Sequence, residues 1–281
     1  MQSRSPESET RRARPLLGTL VDIQAASSQL NSSQLDAVVD KAFARVELIH
    51  RLMSYQDPES ELTRLNHAKP HVLHEVDIHT YNVLYVALLF ARLSDGAFNP
   101  CVVESQSSYS TWEDIELIEE RCVRFKRRVR IDLSGIAKGY AVDLATRTLQ
   151  QAAIEEILVN AGGDLRVCGT KVREVGLRHP RMPTARAEVL ELESGALATS
   201  GAYFSAALVN PHTQKPYLAE ESVTVRAADC MTADALTKVV LFAPPTVAKR
   251  ALALCDAHAY VLRPQASDAV ADGDERTAYP E

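Results

Sequence analysis

The sequence lacks several features that would assign it to a common functional class. Its 281 residues carry a formal net charge of −6 with a pI near 5.8, so no basic field for general nucleic-acid binding is present. The five cysteines are far apart and form no CxxC pair, which argues against a disulfide framework and a zinc site. Neither GxxxxGK(S/T) nor GxGxxG occurs, so the usual nucleotide-binding loops are missing.

Long apolar runs are missing as well. The longest, VLYVALLFA at 83–91, is about half of the ~20 residues that a membrane-spanning helix needs, and it predicts a buried helix instead. The first residues, MQSRSPESETRRARP, are polar and Arg-rich without an apolar core. We therefore expect neither a secretory signal nor a lipoprotein leader, and we predict a cytoplasmic protein without a membrane span.

What is present is typical of a globular chain, with 46% apolar and 24% charged residues. The polar ends predict a flexible arm at 1–13 and a disordered acidic tail at 265–281, which leaves one domain at 14–264. Residue periodicity predicts strands and helices along this domain. The strands are predicted at 16–25, 129–133, 157–160, 172–177, 187–192, 222–226 and 258–262, and the helices at 78–93, 137–152, 231–242 and 246–255.

The strand, helix and strand at 129–133, 137–152 and 157–160 predict a parallel crossover. The basic run RCVRFKRRVR at 121–130 alternates charged and apolar residues, which favours a solvated hairpin over a nucleic-acid patch. Together these patterns predict a mixed α/β (α+β) fold of two closely packed lobes.

Three stretches join a strand-like run to a turn rich in small residues. They are IDLSGIAKGYAVD at 131–143, ILVNAGGDL at 157–165 and SVTVRAADCMTADALTK at 222–238. A loop that leaves a strand and opens a helix presents free backbone N–H groups that suit phosphate oxygens. Acidic side chains beside such loops are suited to a divalent cation. Taken singly, each stretch is better explained by tight turns at its glycines.

Together with shorter segments, these stretches resemble the ApbE-like FAD:protein FMN transferases over roughly residues 15–262. The shorter segments match in order and spacing as well as in letters. They are LLGTLVDI, MSYQDPESELTRLN, DGAFNP, EVGLRHP, GALATSG and NPHTQKP. The resemblance implies an ApbE-like, T-fold-like architecture with a flavin cleft between the lobes.

The resemblance also implies a reaction. FAD is split at its diphosphate with the help of Mg²⁺, AMP leaves, and the FMN moiety is esterified to a Thr or Ser hydroxyl of an acceptor protein. Such phosphoryl transfer depends mainly on positioning and on neutralisation of charge. The implied partners are FAD and the acceptor protein, with no nucleic acid.

Site residues follow from the matching positions. Asp234 and Lys138 match catalytic residues, and the resemblance implies a metal site formed by Asp234, the Gly135 carbonyl and Thr237 as a substitute ligand. The residues that match FAD contacts are Ala97, Phe98, Asn99, Asp132 and Lys138. From the residues alone, Asp234 is better explained as a helix-start carboxylate and Lys138 as an ordinary surface lysine. Asp164 matches as well, although a turn or a salt bridge explains it equally.

Several positions depart from the family pattern. Lys238 stands where the family has a metal-binding Thr, and on a helix it shares a face with Asp234. Its ammonium either pairs with Asp234 and displaces the metal or itself neutralises the diphosphate. Gln56 replaces the flavin-stacking Tyr, with Tyr55 one residue earlier, and Ala207 replaces a His.

These departures leave two alternatives to the transferase. One is an FAD pyrophosphatase that releases FMN and AMP to water, suggested by the loss of the stacking Tyr at Gln56. The other is a non-catalytic FAD-binding protein, suggested by Lys238 and Ala207.

Overall fold

The computed structural model describes residues 8–101, 110–180, 186–201, 208–217 and 220–264. The helices within these ranges are α1 (Ser32–Met53), α2 (Glu61–Asn66), α3 (Ile78–Leu93), α4 (Ala137–Gln151), α5 (Cys230–Phe242) and α6 (Pro245–Leu254). The strands are β1 (Ser8–Leu16), β2 (Thr19–Ser27), β3 (His74–Glu75), β4 (Ile115–Ile118), β5 (Cys122–Phe125), β6 (Glu156–Ala161), β7 (Asp164–Cys168), β8 (Arg173–Arg178), β9 (Arg186–Leu192), β10 (Gly195–Gly201), β11 (Leu208–Val209), β12 (Pro216–Tyr217), β13 (Ser222–Ala227) and β14 (His258–Leu262).

The main sheet has seven strands in the order β1-β2-β6-β7-β10-β13-β14, and every neighbouring pair is antiparallel. A smaller sheet has the order β3-β5-β4, and its β4–β5 hairpin contains residues 121–125, the first half of the basic run that was predicted to form a hairpin. The mixed α/β class is confirmed. Helices α1, α4 and α5 pack against the main sheet and against one another.

The core lies between these helices and the sheet. Alternate residues of each central strand are fully buried, as the two-residue period of a strand requires. Apolar side chains of the main sheet, such as Ile23 and Val159, belong to the same buried cluster as Val123 and Phe125 of the small sheet. One continuous core therefore joins the two sheets. Within the described ranges, no helix combines the length and apolar character that crossing a membrane requires.

The predicted parallel crossover is wrong. Residues 129–133 form no strand, and β6 runs antiparallel to both of its neighbours, β2 and β7. The backbone around Ile131 is held by the side chain of Asn66 at the end of α2, whose Nδ2 donates to the Ile131 carbonyl (2.9 Å) and whose Oδ1 accepts from its N–H (2.7 Å). A side chain thus takes the place of a neighbouring strand for this segment.

Residues 8–13, predicted to belong to a flexible N-terminal arm, form most of β1, and residues 1–7 lie outside the described residues. This strand pairs with β2 along its whole length, from Ser8 opposite Ser27 to Leu16 opposite Thr19. The arginines of β1 lie near acidic side chains; Arg14, for example, pairs with Asp40 of α1. The Arg-rich sequence is therefore a charged edge strand, a common protection for an exposed sheet edge. The predicted tail at 265–281 lies outside the described residues, and the domain limits 14–264 remain a prediction.

Candidate active site

Four separate segments of the chain surround a cavity of about 180 Å³. They are the loop after α3, the loop before α4, the hairpin of β11 and β12, and one face of α5. The lining residues are Ala97, Phe98, Asn99, Asp132, Ser134, Gly135, Leu208, Val209, Pro211, Lys238 and Phe242. Most of the residues predicted to contact FAD are thus brought together by the fold.

The loop after α3 is anchored to the end of that helix. Ser94 Oγ donates to the Phe90 carbonyl (2.7 Å) and accepts from the N–H of Phe98 (2.9 Å). Asn99 Oδ1 accepts from the N–H of Cys101 (2.9 Å) and closes a tight turn. These bonds fix the backbone that carries Phe98 and Asn99 to the cavity.

The loop before α4 is tied to the first loop. The N–H of Asp132 donates to the Pro100 carbonyl (2.8 Å), and Asp132 Oδ1 accepts from the N–H of Ser134 (2.8 Å). Gly135 follows, and its Cα lies against the side chain of Lys238. Asp132 and Gly135 therefore form one wall of the cavity, next to the α3 loop.

Asp234 lies on α5 behind this wall and is almost completely buried, with 1% exposure. Its Oδ1 is ion-paired with the ammonium of Lys238, one helical turn later, and Lys238 Nζ also donates to the Asp234 carbonyl (3.1 Å). Its Oδ2 accepts from the N–H of Gly139 in the first turn of α4 (3.2 Å). The carboxylate thus stabilises the N-terminus of a neighbouring helix while holding a lysine.

The helices α4 and α5 cap each other. Asp143 of α4 accepts from the N–H groups of Cys230 (2.9 Å) and Met231 (2.8 Å) at the start of α5. It also pairs with Arg166 of β7 at 2.6 Å. Burial is the largest influence on Asp143 and raises the pKa of its carboxyl, against the opposing effect of Arg166. This reciprocal capping fixes the position of Asp234 relative to the α4 loop.

Lys138 and Asp164 form a second ion pair in the same region, 2.6 Å apart. Burial acts to lower the pKa of Lys138, but the carboxylates of Asp164 and Asp234 outweigh it and raise that pKa above its ordinary value. Burial and the nearby Asp234 together raise the pKa of Asp164, against the effect of both lysines. Two lysines and two aspartates are therefore electrostatically linked, with Lys238 on the cavity wall.

Thr237 is fully buried and faces the main sheet. Its hydroxyl donates to the Asp234 carbonyl (2.7 Å) and lies 2.8 Å from Ser200 Oγ of β10. Its oxygen is already engaged on the side of α5 that packs on the sheet. Its role as a substitute metal ligand remains a prediction that this arrangement does not favour.

The donors around Asp234 do not fit a divalent metal ion as they are arranged. Lys238 holds one carboxylate oxygen and Gly139 the other, and Thr237 is bonded elsewhere. Across the described ranges, no group of three or more His, Cys, Asp or Glu side chains is placed to hold a metal ion. The lysine ammonium stands where the sequence led us to expect Mg²⁺.

The aromatic rings that line the cavity are those of Phe98, as predicted, and Phe242, whereas Tyr55 is not among the lining residues. The ring of Tyr55 stacks beneath the guanidinium of Arg130 at 5.6 Å, and Gln56 is exposed. Phe98 packs on Phe90 inside the protein, with ring centroids 6.1 Å apart. The shift of Tyr55 into the role of a stacking residue is therefore not supported.

Phe242 lines the cavity but was not among the predicted site residues. It follows Lys238 by four residues and Asp234 by eight, so all three share one face of α5. Its ring is held edge-on against Tyr217 of β12, with centroids 5.2 Å apart. Helical spacing from Asp234 would have identified it as a wall residue.

The hairpin next to Phe242 turns at Asn210. Ala207 lies outside the described residues. Asn210 Oδ1 accepts from the N–H groups of His212 (2.9 Å) and Thr213 (3.1 Å), so it forms a turn. His212 Nε2 is 3.2 Å from the Phe242 carbonyl, which ties the hairpin to the end of α5.

Comparisons with known proteins point to one family. A model of the ApbE family matches residues 17–261. The chain is 26% identical over 271 residues to a protein named FAD:protein FMN transferase from Vibrio cholerae, covering 82% of this chain and 80% of that protein. A protein of the same name from Haemophilus influenzae is 26% identical over 258 residues, covering 74% of each.

Solved structures show the same fold. The crystal structure of the ApbE protein from Thermotoga maritima matches with a TM-score of 0.78 and 28% identity, covering 93% of this chain and 99% of that one. The flavin transferase ApbE from Vibrio cholerae matches in fold with a TM-score of 0.77 at 22% identity, covering 92% and 94%.

Proposed function

The chain belongs to the ApbE family, and we propose that it is an FAD:protein FMN transferase acting at the cavity between the α3 loop, the α4 loop and α5. Two relatives that align with this chain over most of their length are named for this activity. The observation that supports the proposal best is that one cavity contains Phe98, Asn99 and Asp132 beside the ammonium of Lys238.

The proposed reaction is one phosphoryl transfer. The hydroxyl oxygen of an acceptor Thr or Ser attacks the phosphorus that carries riboflavin, and a new P–O ester bond forms. The bond from that phosphorus to the bridging oxygen of the diphosphate breaks, and AMP leaves with that oxygen and its electron pair. The hydroxyl proton passes to solvent or to the departing AMP. Neutralisation of the diphosphate charge is the main requirement for such a step.

Different residues of this chain have different roles in this step. Phe98 offers a ring face and Asn99 and Asp132 offer polar groups to FAD, while Lys238 faces the phosphates. Lys138 keeps the buried charge of Asp164 balanced, and Asp234 orients Lys238. At about 180 Å³ the cavity is smaller than typical ligand pockets, so it receives a part of FAD rather than the whole molecule.

The Mg²⁺ implied by the sequence resemblance stays a prediction, and the arrangement at Asp234 does not favour it. Binding at Asp234 would require the ammonium of Lys238 to leave its carboxylate. The acceptor is proposed to be a protein with an accessible Thr or Ser, and the cytoplasmic location stays a prediction from the sequence.

The proposal is tested with FAD and a library of peptides that each contain one Thr or Ser. AMP and free FMN are measured by chromatography, and peptides are examined by mass spectrometry for the added FMN moiety. We expect AMP formation matched by flavinylated peptide, and a large loss of both in Asp234→Ala. AMP with an equal amount of free FMN would indicate a pyrophosphatase, and AMP formation unchanged in Asp234→Ala would contradict the proposed site.

A further inference from the structure

We propose that Lys238 replaces a divalent metal ion at Asp234, so that this chain binds the diphosphate of FAD without Mg²⁺. The identity of the ligand rests on the proposed function, whereas the exclusion of the metal rests on the geometry of the lysine itself.

The first observation is that the ammonium of Lys238 is bonded to Asp234 at two atoms. Lys238 Nζ is paired with Asp234 Oδ1 and donates to the carbonyl of the same residue at 3.1 Å. The Asp234 side chain is 1% exposed and that of Lys238 is 15% exposed. A buried carboxylate needs a charged partner, and the ammonium fills that need.

The second observation is the packing of the lysine stem. A Cβ built on Gly135 would lie 3.3 Å from Lys238 Cε and 3.8 Å from its Cδ. The stem therefore runs past Gly135 to Asp234, and it bridges the two residues that were expected to share a metal ion. Lys238 also lines the cavity, so the same side chain contacts the Asp234 carboxylate and borders the space proposed for FAD.

The third observation is the balance of charge. Lys138 pairs with Asp164 and Lys238 pairs with Asp234, so the four charges sum to zero. A divalent ion beside Asp234 would be repelled by the ammonium that is already paired with Asp234 Oδ1. Removal of that ammonium would leave Asp234 without its cation and would open its carboxylate to a metal.

The test compares FAD affinity by titration calorimetry in EDTA and in Mg²⁺ for the full chain, Lys238→Thr and Lys249→Thr. The last is a matched control, because Lys249 is an exposed lysine on α6. We expect equal affinity in both buffers for the natural chain and the control. In Lys238→Thr, Mg²⁺ should tighten FAD binding by about tenfold or more, within the usual range of coupling between two ligands.

A natural chain whose FAD affinity rises tenfold with Mg²⁺, and whose dependence persists in Lys238→Thr, would overturn the inference. A second readout separates this result from failure of the proposed function. Mn²⁺ binding is followed by electron paramagnetic resonance without FAD. Mn²⁺ bound by Lys238→Thr but not by the natural chain supports metal replacement even if FAD is never bound. Mn²⁺ bound by the natural chain and lost in Asp234→Asn contradicts it.

Discussion

Phe98 is suited to test whether an aromatic ring of FAD, from the flavin or from the adenine, binds against its wall of the cavity. Phe98→Leu removes a ring face that lines the cavity, and we expect FAD affinity to fall about three- to tenfold, because an aromatic pair contributes roughly 0.5 to 1.5 kcal/mol beyond buried area. The free energy of unfolding should fall by less than about 1.5 kcal/mol. Fluorescence titration with FAD and urea unfolding measure the two effects.

Phe90→Leu is the matched control for this substitution. Phe90 packs on Phe98 and is similarly buried, but it does not line the cavity. It should lose a comparable amount of stability and keep its FAD affinity. Equal loss of affinity in both variants would mean that Phe98 acts only through packing.

The sequence could identify single site residues only where a resemblance pointed to them. Phe98, Asn99 and Asp132 lie together in the cavity, as that resemblance implies. The ion pairs are harder to foresee, because Lys138 and Asp164 meet only after α4 folds back over β7. By contrast, the pair between Asp234 and Lys238 lies within one helix, and the spacing of four residues already gave it as one of two alternatives.

At the scale of elements, the contact between α4 and α5 depends on Gly139. A Cβ at this position would lie 2.4 Å from the carbonyl oxygen of Cys230, and backbone atoms cannot yield as a side chain does. We expect Gly139→Ala to lower the free energy of unfolding by about 2 to 3 kcal/mol, since overpacking outweighs the roughly 1 kcal/mol that Ala gains in a helix. Urea unfolding followed by circular dichroism measures the change.

Gly135→Ala is the matched control, because it also replaces a glycine by alanine but brings the new Cβ against side chains and not against backbone. Its new Cβ would meet the flexible end of Lys238 at 3.3 Å, so we expect a loss below about 1 kcal/mol. If Gly139→Ala proves as stable as Gly135→Ala, the contact between α4 and α5 does not depend on a glycine at position 139.

Element positions were more predictable than element pairings. The strands β8, β9, β13 and β14 and the helices α3, α5 and α6 lie close to where residue periodicity predicted them. The crossover before α4 was wrong because Asn66, remote in sequence from Ile131, satisfies the backbone there. The start of β1 was missed because its charged alternation is stabilised by acids on α1, which no local pattern reveals.

At the scale of the whole molecule, the cavity joins segments that are far apart in the chain. The α3 loop, the α4 loop, the β11–β12 hairpin and α5 each contribute to its wall. A ligand that contacts all four binds the folded state and not the unfolded chain. Its binding free energy therefore adds to the stability of the whole fold.

We accordingly expect FAD at a hundred times its dissociation constant to stabilise the protein by about 2.7 kcal/mol and to raise its melting temperature by roughly 5 to 10 °C. Riboflavin at the same concentration lacks the diphosphate, so its shift should be smaller. In Lys238→Met the FAD shift should shrink toward the riboflavin shift, because the cation on the cavity wall is gone. Differential scanning calorimetry in EDTA measures all four combinations. Equal shifts for FAD and riboflavin in the natural chain would show that the diphosphate does not contact Lys238.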